Sequence, residues 1–442
     1  MASALENYVN NVRTKSSEGN FRIMVEQLND SVEVLSRYWE LLDNVLETLD
    51  FQQHSLGVLY VLLVKFNGAS SPNVNANLPQ MFNLYKEFIS QCNGEQVRYA
   101  TYTYYDLCHM FTSLIVEHPL CIQGIKVVAQ AIEKIRLCDS QQTSIHADLC
   151  QISLKARCFK TALSFLDVDI TTIATTSEVR GQNSNDANND AKYFLLYYYY
   201  GGMIYTAVKN FDRALYFFEV CISTPAAAMS HIMLEAYKKF VLVSLILHGK
   251  VLPIPKSSGP VISRFMKPLA QAYHDLGNAY ATSTNEELRI VMNKCSETFI
   301  RDKNMGLVKQ VVTSLYKKNI QRLTKTFLTL SLSDVASRAQ LNDAAEAEKY
   351  IFNMIKSGEI YASINKKDGM VVFKDDPEKY NSPEMFLKVQ KDMAETMDLI
   401  RQINKMEEEI LLNPIYVKKA LGSQEDELTS QHAKSFSGDP TD

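Results

Sequence analysis

The chain has 442 residues, 46% of them hydrophobic and 22% charged, the proportions of a globular protein with room for two or three domains, each with its own core. Its formal net charge of −4 is carried from Leu421 onward, where Glu425, Asp426, Glu427, Asp439 and Asp442 outnumber Lys434, so the rest is near neutral. A neutral body lacks the field that draws a protein to nucleic acid or to an anionic membrane, and neither partner is expected.

The first residues, MASALENYVNNVRTK, carry no apolar run of the kind a secretion signal has. The longest apolar stretches, Leu56–Val64 and Phe240–Leu247, fall far short of the roughly 20 residues that span a bilayer and read as buried helix segments. Eight cysteines are scattered with no C-x-x-C, which suits reduced thiols better than a disulfide framework.

In chain order, apolar residues recur at three- and four-residue steps in Leu5/Tyr8/Val9/Val12, in Phe21/Met24/Leu28/Val32/Leu35 and in Ile122/Ile125/Val128/Ala129/Ile132/Ile135, predicting amphipathic helices. Two polar stretches, Asn67–Pro79 and Thr171–Asp190, read as surface loops. The segment ARCFKTALSFLD (156–167) aligns without gaps on VKNFDRALYFFE (208–219), pairing Phe159 with Phe211 and Ala162 with Ala214. The period of 52 residues falls to 32 once the polar stretch is removed, near the ~34 of tetratricopeptide helix pairs. A weaker copy lies upstream, with Gly124, Ile125 and Val128 where Ala162, Leu163 and Leu166 stand.

Residues 197–225 follow the tetratricopeptide pattern closely. Gly202 and Tyr205 stand at G-x-x-Y, Ala214 follows, and Phe218 completes A-x-x-x-F before Pro225. Small residues at Gly202 and Ala214 let paired helices approach, and Tyr205 and Phe218 fill the space between pairs. The four tyrosines Tyr197–Tyr200 point in four directions on a helix and read as core, not as a stacking platform.

Near residue 323 the pattern changes. A short β-prone stretch, Leu328–Ser331, is followed by a capping box at Ser331/Asp334 and a helix through Leu341. A second helix, Ala344–Ser357, is stopped by Gly358, and two strands, Ile360–Ile364 and Met370–Phe373, flank a turn at Asp368–Gly369. Strand, helix, helix, hairpin is the order of a winged helix. Ile360, Ile364 and Val372 are the candidate sheet edge for pairing with a neighbour. After it, Ser382–Pro383 opens a long helix. Phe386, Val389, Met393, Met397, Ile400, Ile403, Met406 and Ile410 form its apolar stripe, and Lys388, Lys391, Asp392, Glu395, Arg401, Lys405 and Glu408 its charged face.

The fold class is therefore mainly α: a tetratricopeptide-like solenoid, a winged helix and a long C-terminal helix. The expected division is 1–196 for N-terminal repeats and 197–375 for a second module, with repeats to 315 and the winged helix over 316–375. The C-terminal helix occupies 383–412, and 421–442 is an acidic tail.

The string EAEKYIFNMIKSGEIYASINKKDGMVVF (346–373) resembles the end of a PCI domain, the module shared by the proteasome lid, the COP9 signalosome and translation initiation factor three. HSLGVLYVLLVKF (54–66), YYYYGGMIYT (197–206), SHIMLEAYKKF (230–240) and YKKNIQRLTKTFLTLSLSDVASR (316–338) narrow the resemblance to the signalosome branch of that family, through nearly the whole chain. The resemblance implies a non-catalytic scaffold in the complex that removes Nedd8 from cullins and so regulates cullin-RING ubiquitin ligases. It further implies PCI contacts with the first and eighth subunits, a shared bundle of C-terminal helices joining all subunits, and a place in both cytoplasm and nucleus. The alternatives beside it are a PCI scaffold of the proteasome lid or of initiation factor three, and a winged-helix nucleic-acid-binding protein.

No enzyme is expected. The histidines form no H-x-H and no H-E-x-x-H, and there is no phosphate loop and no G-x-S-x-G elbow. His146 and Cys150 stand four apart with Cys158 beyond, but such a pair supplies half a zinc shell and reads as core, so neither metal nor cofactor is assigned. The basic run Lys309, Lys317, Lys318, Arg322 and Lys325 is the best support for nucleic-acid binding. Against it, the helix that would enter the groove begins with Asp343, Glu346 and Glu348.

Overall fold

The computed structural model describes residues 2–68, 78–174, 184–226, 228–254, 258–282, 284–375 and 380–419. The described residues form two compact units, Met1–Lys325 with Leu332–Tyr350, and Thr326–Ser331 with Ile351–Asp442.

The first unit is built mainly of helices. α1 (Ala2–Glu18), α2 (Phe21–Arg37), α3 (Leu42–Thr48) and α4 (Ser55–Gly68) begin it. The run Leu56–Val64 lies in α4, which is buried almost all round, and this is why its sequence is continuously apolar. Then come α5 (Leu78–Gln91), α6 (Gly94–Val97), α7 (Thr101–Ile115), α8 (Cys121–Ile135), α9 (Ile145–Ala156) and α10 (Lys160–Leu166). On α8 the apolar face is Ile125, Val128, Ala129, Ile132 and Ile135, all buried, while Ile122 is 63% exposed.

The polar stretch expected as a loop over 171–190 carries structure at both ends. Two-residue strands β1 (Gln141–Gln142) and β2 (Thr172–Ile173) pair in parallel, and Ser184–Asp190 is the first part of α11 (Ser184–Val208). Backbone hydrogen bonding here overrides side-chain polarity. Of 67–79, Asn67 and Gly68 close α4, Leu78 and Pro79 open α5, and the rest lies outside the described residues.

α12 (Phe211–Ser223), α13 (His231–His248), α14 (Pro260–Leu269), α15 (Gln271–Ala281), α16 (Asn285–Lys294), α17 (Ser296–Arg301) and α18 (Met305–Thr324) continue the stack. Because α11 and α18 are continuous helices, the expected boundaries at 196/197 and 315/316 cut through helices and do not separate modules.

One turn recurs in the helix pairs. Among the described residues, Arg157, Lys209, Lys303 and Gln340 are the positive-φ residues other than glycine, at φ 54, 67, 56 and 59°. At each, the next amide reaches back to a carbonyl five residues earlier, as in Asn210 N–H to Tyr205 O at 2.9 Å and Asn304 N–H to Phe299 O at 2.9 Å. This closes the first helix of the pair and turns the chain into the second. Arg157 and Lys209 are equivalent positions of the 52-residue repeat, so the repetition extends to the backbone.

α19 (Leu332–Ala339) and α20 (Ala344–Lys356) follow. Glu346 accepts from the Asn342 backbone and side-chain amides at 3.3 Å, fixing the start of α20. The second unit holds β3 (Thr329–Ser331), β4 (Tyr361–Asn365), β5 (Met370–Lys374) and α21 (Pro383–Leu411), with antiparallel sheet order β3-β5-β4. Gly369, at φ 64°, makes the hairpin turn between β4 and β5.

Candidate functional site: protein-docking surfaces

Gly202, Tyr205, Ala214 and Phe218 meet where α11 crosses α12. A Cβ on Gly202 would lie 2.6 Å from the Phe218 ring, and one on Gly201 would lie 2.6 Å from Phe217 and 2.9 Å from Leu166. The glycine pair, costly inside a helix, is what allows this approach. Ala214 and Phe218 are wholly buried, and the Tyr205 hydroxyl donates to Asp167 at 2.7 Å, tying this pair to the preceding one. Tyr197 and Tyr198 are buried, Tyr199 lies under the Lys239 ammonium at 5.2 Å, and Tyr200 is half-buried.

His146 does not stand ready for a metal. The Thr143 N–H donates to its Nδ1 at 3.0 Å, and its ring packs edge-on to Phe165 and Tyr197. Burial first, with Arg136 nearby, lowers its pKa to about 4, although a hydrogen bond to Thr143 opposes the shift. Cys150 is buried, its thiol pushed up by desolvation, whereas Cys158 is exposed. Among the described residues no three His, Cys, Asp or Glu side chains could hold a metal ion.

Sequence reasoning missed two polar clusters. His109 Nδ1 lies 2.6 Å from the buried Asp148 carboxylate, and its ring stacks on Tyr193 at 3.8 Å, binding α7, α9 and α11 together. Burial holds the Asp148 pKa above the usual carboxylate range despite His109. Lys238 bridges Glu235 at 2.6 Å and Asp302 at 2.8 Å, and Asp302 also accepts from Tyr273. Apart from Glu235, three positions before Lys238 on the same helix, the partners lie 29–84 positions apart, beyond any local pattern.

The basic run is partly internal. Lys318 donates to the Gly249 carbonyl at 2.9 Å and sits 5.1 Å over the Tyr280 ring, so it is not a free phosphate ligand.

The expected docking edge needs correction at Val372. β5 is the central strand: Val372 pairs with Thr329 of β3 on one side and with Ser363 of β4 on the other. A strand whose two flanks are already paired cannot extend a neighbour's sheet. Ile360 is buried just before β4, and Ile364 lies in β4, an outer strand, opposite Val371.

α21 presents an exposed apolar face. Its Ser382 cap accepts from the Met385 N–H at 3.2 Å, Pro383 stands at its first turn, and not one of its residues is buried. The stripe from Phe386 to Ile410 is 45–70% exposed throughout. Exposed apolar side chains in such an unbroken stripe mark an interaction face.

These features define the class: a helical-repeat protein that ends in a winged helix and a long, unburied amphipathic helix. The family of COP9 signalosome complex subunit 3 N-terminal helical repeats matches residues 18–262, and the PCI domain family matches residues 286–375. A COP9 signalosome complex subunit 3 from Drosophila melanogaster is 64% identical over the full length of both chains. One from Arabidopsis thaliana is 36% identical over 85% of this chain and 84% of its own. The chain belongs to the COP9 signalosome subunit 3 family. No helix among the described residues is long and apolar enough to cross a membrane.

Proposed function

We propose that this chain is a non-catalytic scaffold subunit of a COP9 signalosome, the complex that removes Nedd8 from cullins and regulates cullin-RING ubiquitin ligases. Its partners are other signalosome subunits, the first and eighth through the PCI module and all of them through a bundle of C-terminal helices. It acts in nucleus and cytoplasm. The observation that carries this reading is α21, a 29-residue helix with an apolar stripe and no buried residue. A helix of that length, ~40 Å by its rise per residue, draws its stability from a partner that covers the stripe. Its three stripe methionines, Met393, Met397 and Met406, adapt to several partner surfaces. Ile364 of the outer strand and Ile360 just before it, rather than Val372, carry the PCI contact, and Gly202, Tyr205, Ala214 and Phe218 hold the repeats of the solenoid together.

The test is reconstitution with the other subunits. A chain truncated after Ser382, and a full-length Met393→Asp/Ile400→Asp/Ile403→Asp variant, are expected to fold and to keep a PCI neighbour while failing to enter the complete complex. Entry of both variants at the unaltered level would overturn the reading.

A further inference from the structure

We propose that a cavity on the repeat unit, at the meeting of α13, α14 and α15, docks an acidic peptide segment of a partner protein in which a bulky apolar residue stands beside a carboxylate. The cavity holds about 480 Å³ and is open to solvent on one side, within the range of sites that hold ligands. Its apolar wall is Val251, Leu252, Pro253 and Ile254, the stretch that follows α13. Gly277 of α15 brings that wall in, because a Cβ there would lie 2.6 Å from a methyl of Val251.

The polar side of the cavity is basic. Lys267 of α14 and His274 of α15 both line it with Tyr237 of α13, whose hydroxyl lies 3.0 Å from His274 Nε2. The Lys267 side chain makes no hydrogen bond or ion pair among the described residues. The two side chains feel each other: burial first, then the Lys267 charge, holds the His274 pKa below its ordinary value. An anion between them relieves that repulsion and restores the histidine's affinity for a proton. Asp275 offsets the Lys267 charge at His274 only in part; it accepts from Gln271 at 2.8 Å and lines a separate cavity with Glu287. An apolar wall facing an unpaired cation selects a ligand that is apolar at one end and anionic at the other. A polypeptide fits the open side, along which its chain can continue.

The full chain, with 13C-labelled histidine rings, is titrated to millimolar concentration with a blocked hexapeptide of alternating leucine and glutamate. A twin peptide carries glutamine for glutamate. The His274 resonance is identified by its loss in His274→Gln. The glutamate peptide is expected to shift that resonance and raise its titration midpoint. The glutamine twin, and the glutamate peptide on Lys267→Glu, are expected to bind about tenfold more weakly or less. A lysine version of the peptide should then prefer Lys267→Glu. No shift of His274 at millimolar peptide, equal binding of the two peptides, or indifference to Lys267→Glu would each overturn the proposal. None of these outcomes touches the scaffold reading, which is tested by entry into the complex through α21.

Discussion

Asn285 and Gln340, 55 positions apart, are locked together: the Asn285 amide donates to the Gln340 side chain at 2.8 Å, and its Nδ2 donates to the carbonyls of Ala339 and Gln340 at 3.2 and 3.3 Å. Asn285 opens α16 and is buried, so this one side chain satisfies the C-terminal carbonyls of α19, where Gln340 turns the chain at positive φ. It is how the last repeats hold the first helix of the winged-helix motif.

Asn285→Ala leaves those carbonyls buried without a donor and is expected to lower the unfolding free energy by about 2 kcal/mol. Asn285→Asp has the same shape but points oxygen at oxygen, so it should cost more. Urea midpoints of the three chains decide the matter, and an aspartate tolerated as well as asparagine would show that the geometry is not what holds α19.

At two neighbouring sites glycine is expected to be the stabilising residue, so removing it at one and adding it at the other should have opposite effects. Gly202→Ala, normally worth about 0.5–1 kcal/mol of stabilisation inside a helix, should instead destabilise, because its Cβ meets the buried Phe218 ring at 2.6 Å. Lys209→Gly should stabilise by up to about 1 kcal/mol, since its exposed side chain is held in a left-handed backbone that disfavours a Cβ. Thermal midpoints that move together in both variants would refute the assignment of the helix crossing.

Stability should fall with acid through His146. In the unfolded chain an imidazole takes its proton near pH 6.5, whereas burial delays protonation of the folded chain to about pH 4. Between those values the unfolded state binds more protons, so this contribution is fully present above pH 6.5 and is lost as the pH falls toward 4. Its size is about 3 kcal/mol. The expected result is a shallower loss of stability for His146→Gln between pH 6.5 and 4.5 than for the unaltered chain. Parallel curves would count against it.

Val372→Pro is expected to break the sheet rather than a subunit contact. The Phe373 N–H points to Leu328 at 2.8 Å, so by alternation the Val372 N–H points to β4. Proline there removes a bond inside the sheet and should cost about 1–3 kcal/mol. Intact far-ultraviolet dichroism and an unchanged melt would contradict the central place of β5.

Much of this protein was legible one element at a time. The stripe of α21 and its Ser382–Pro383 start follow from a 3.6-residue period and a capping preference, both local properties of the chain. The same holds for the helix pairs around Gly202 and Ala214, whose small residues announce a crossing before the partner ring is known, and for the order strand, helix, helix, hairpin. The polar stretch 171–190 misled because polarity reports on side chains, while the parallel pairing of Thr172–Ile173 with Gln141–Gln142 is made by backbone groups that every residue carries.

What the sequence by itself determined was the kind of each element and which of its faces is apolar, because periodicity is set by neighbours three and four residues away. Only the tertiary structure decided which elements meet. It put β5 between β3 and β4, so that Val372 is interior and β4 lies outside, and it joined Asn285 to Gln340, His109 to Asp148 and Lys238 to Asp302. Strand order and long-range hydrogen bonds depend on how the whole chain closes on itself, and no residue-by-residue preference encodes that closure.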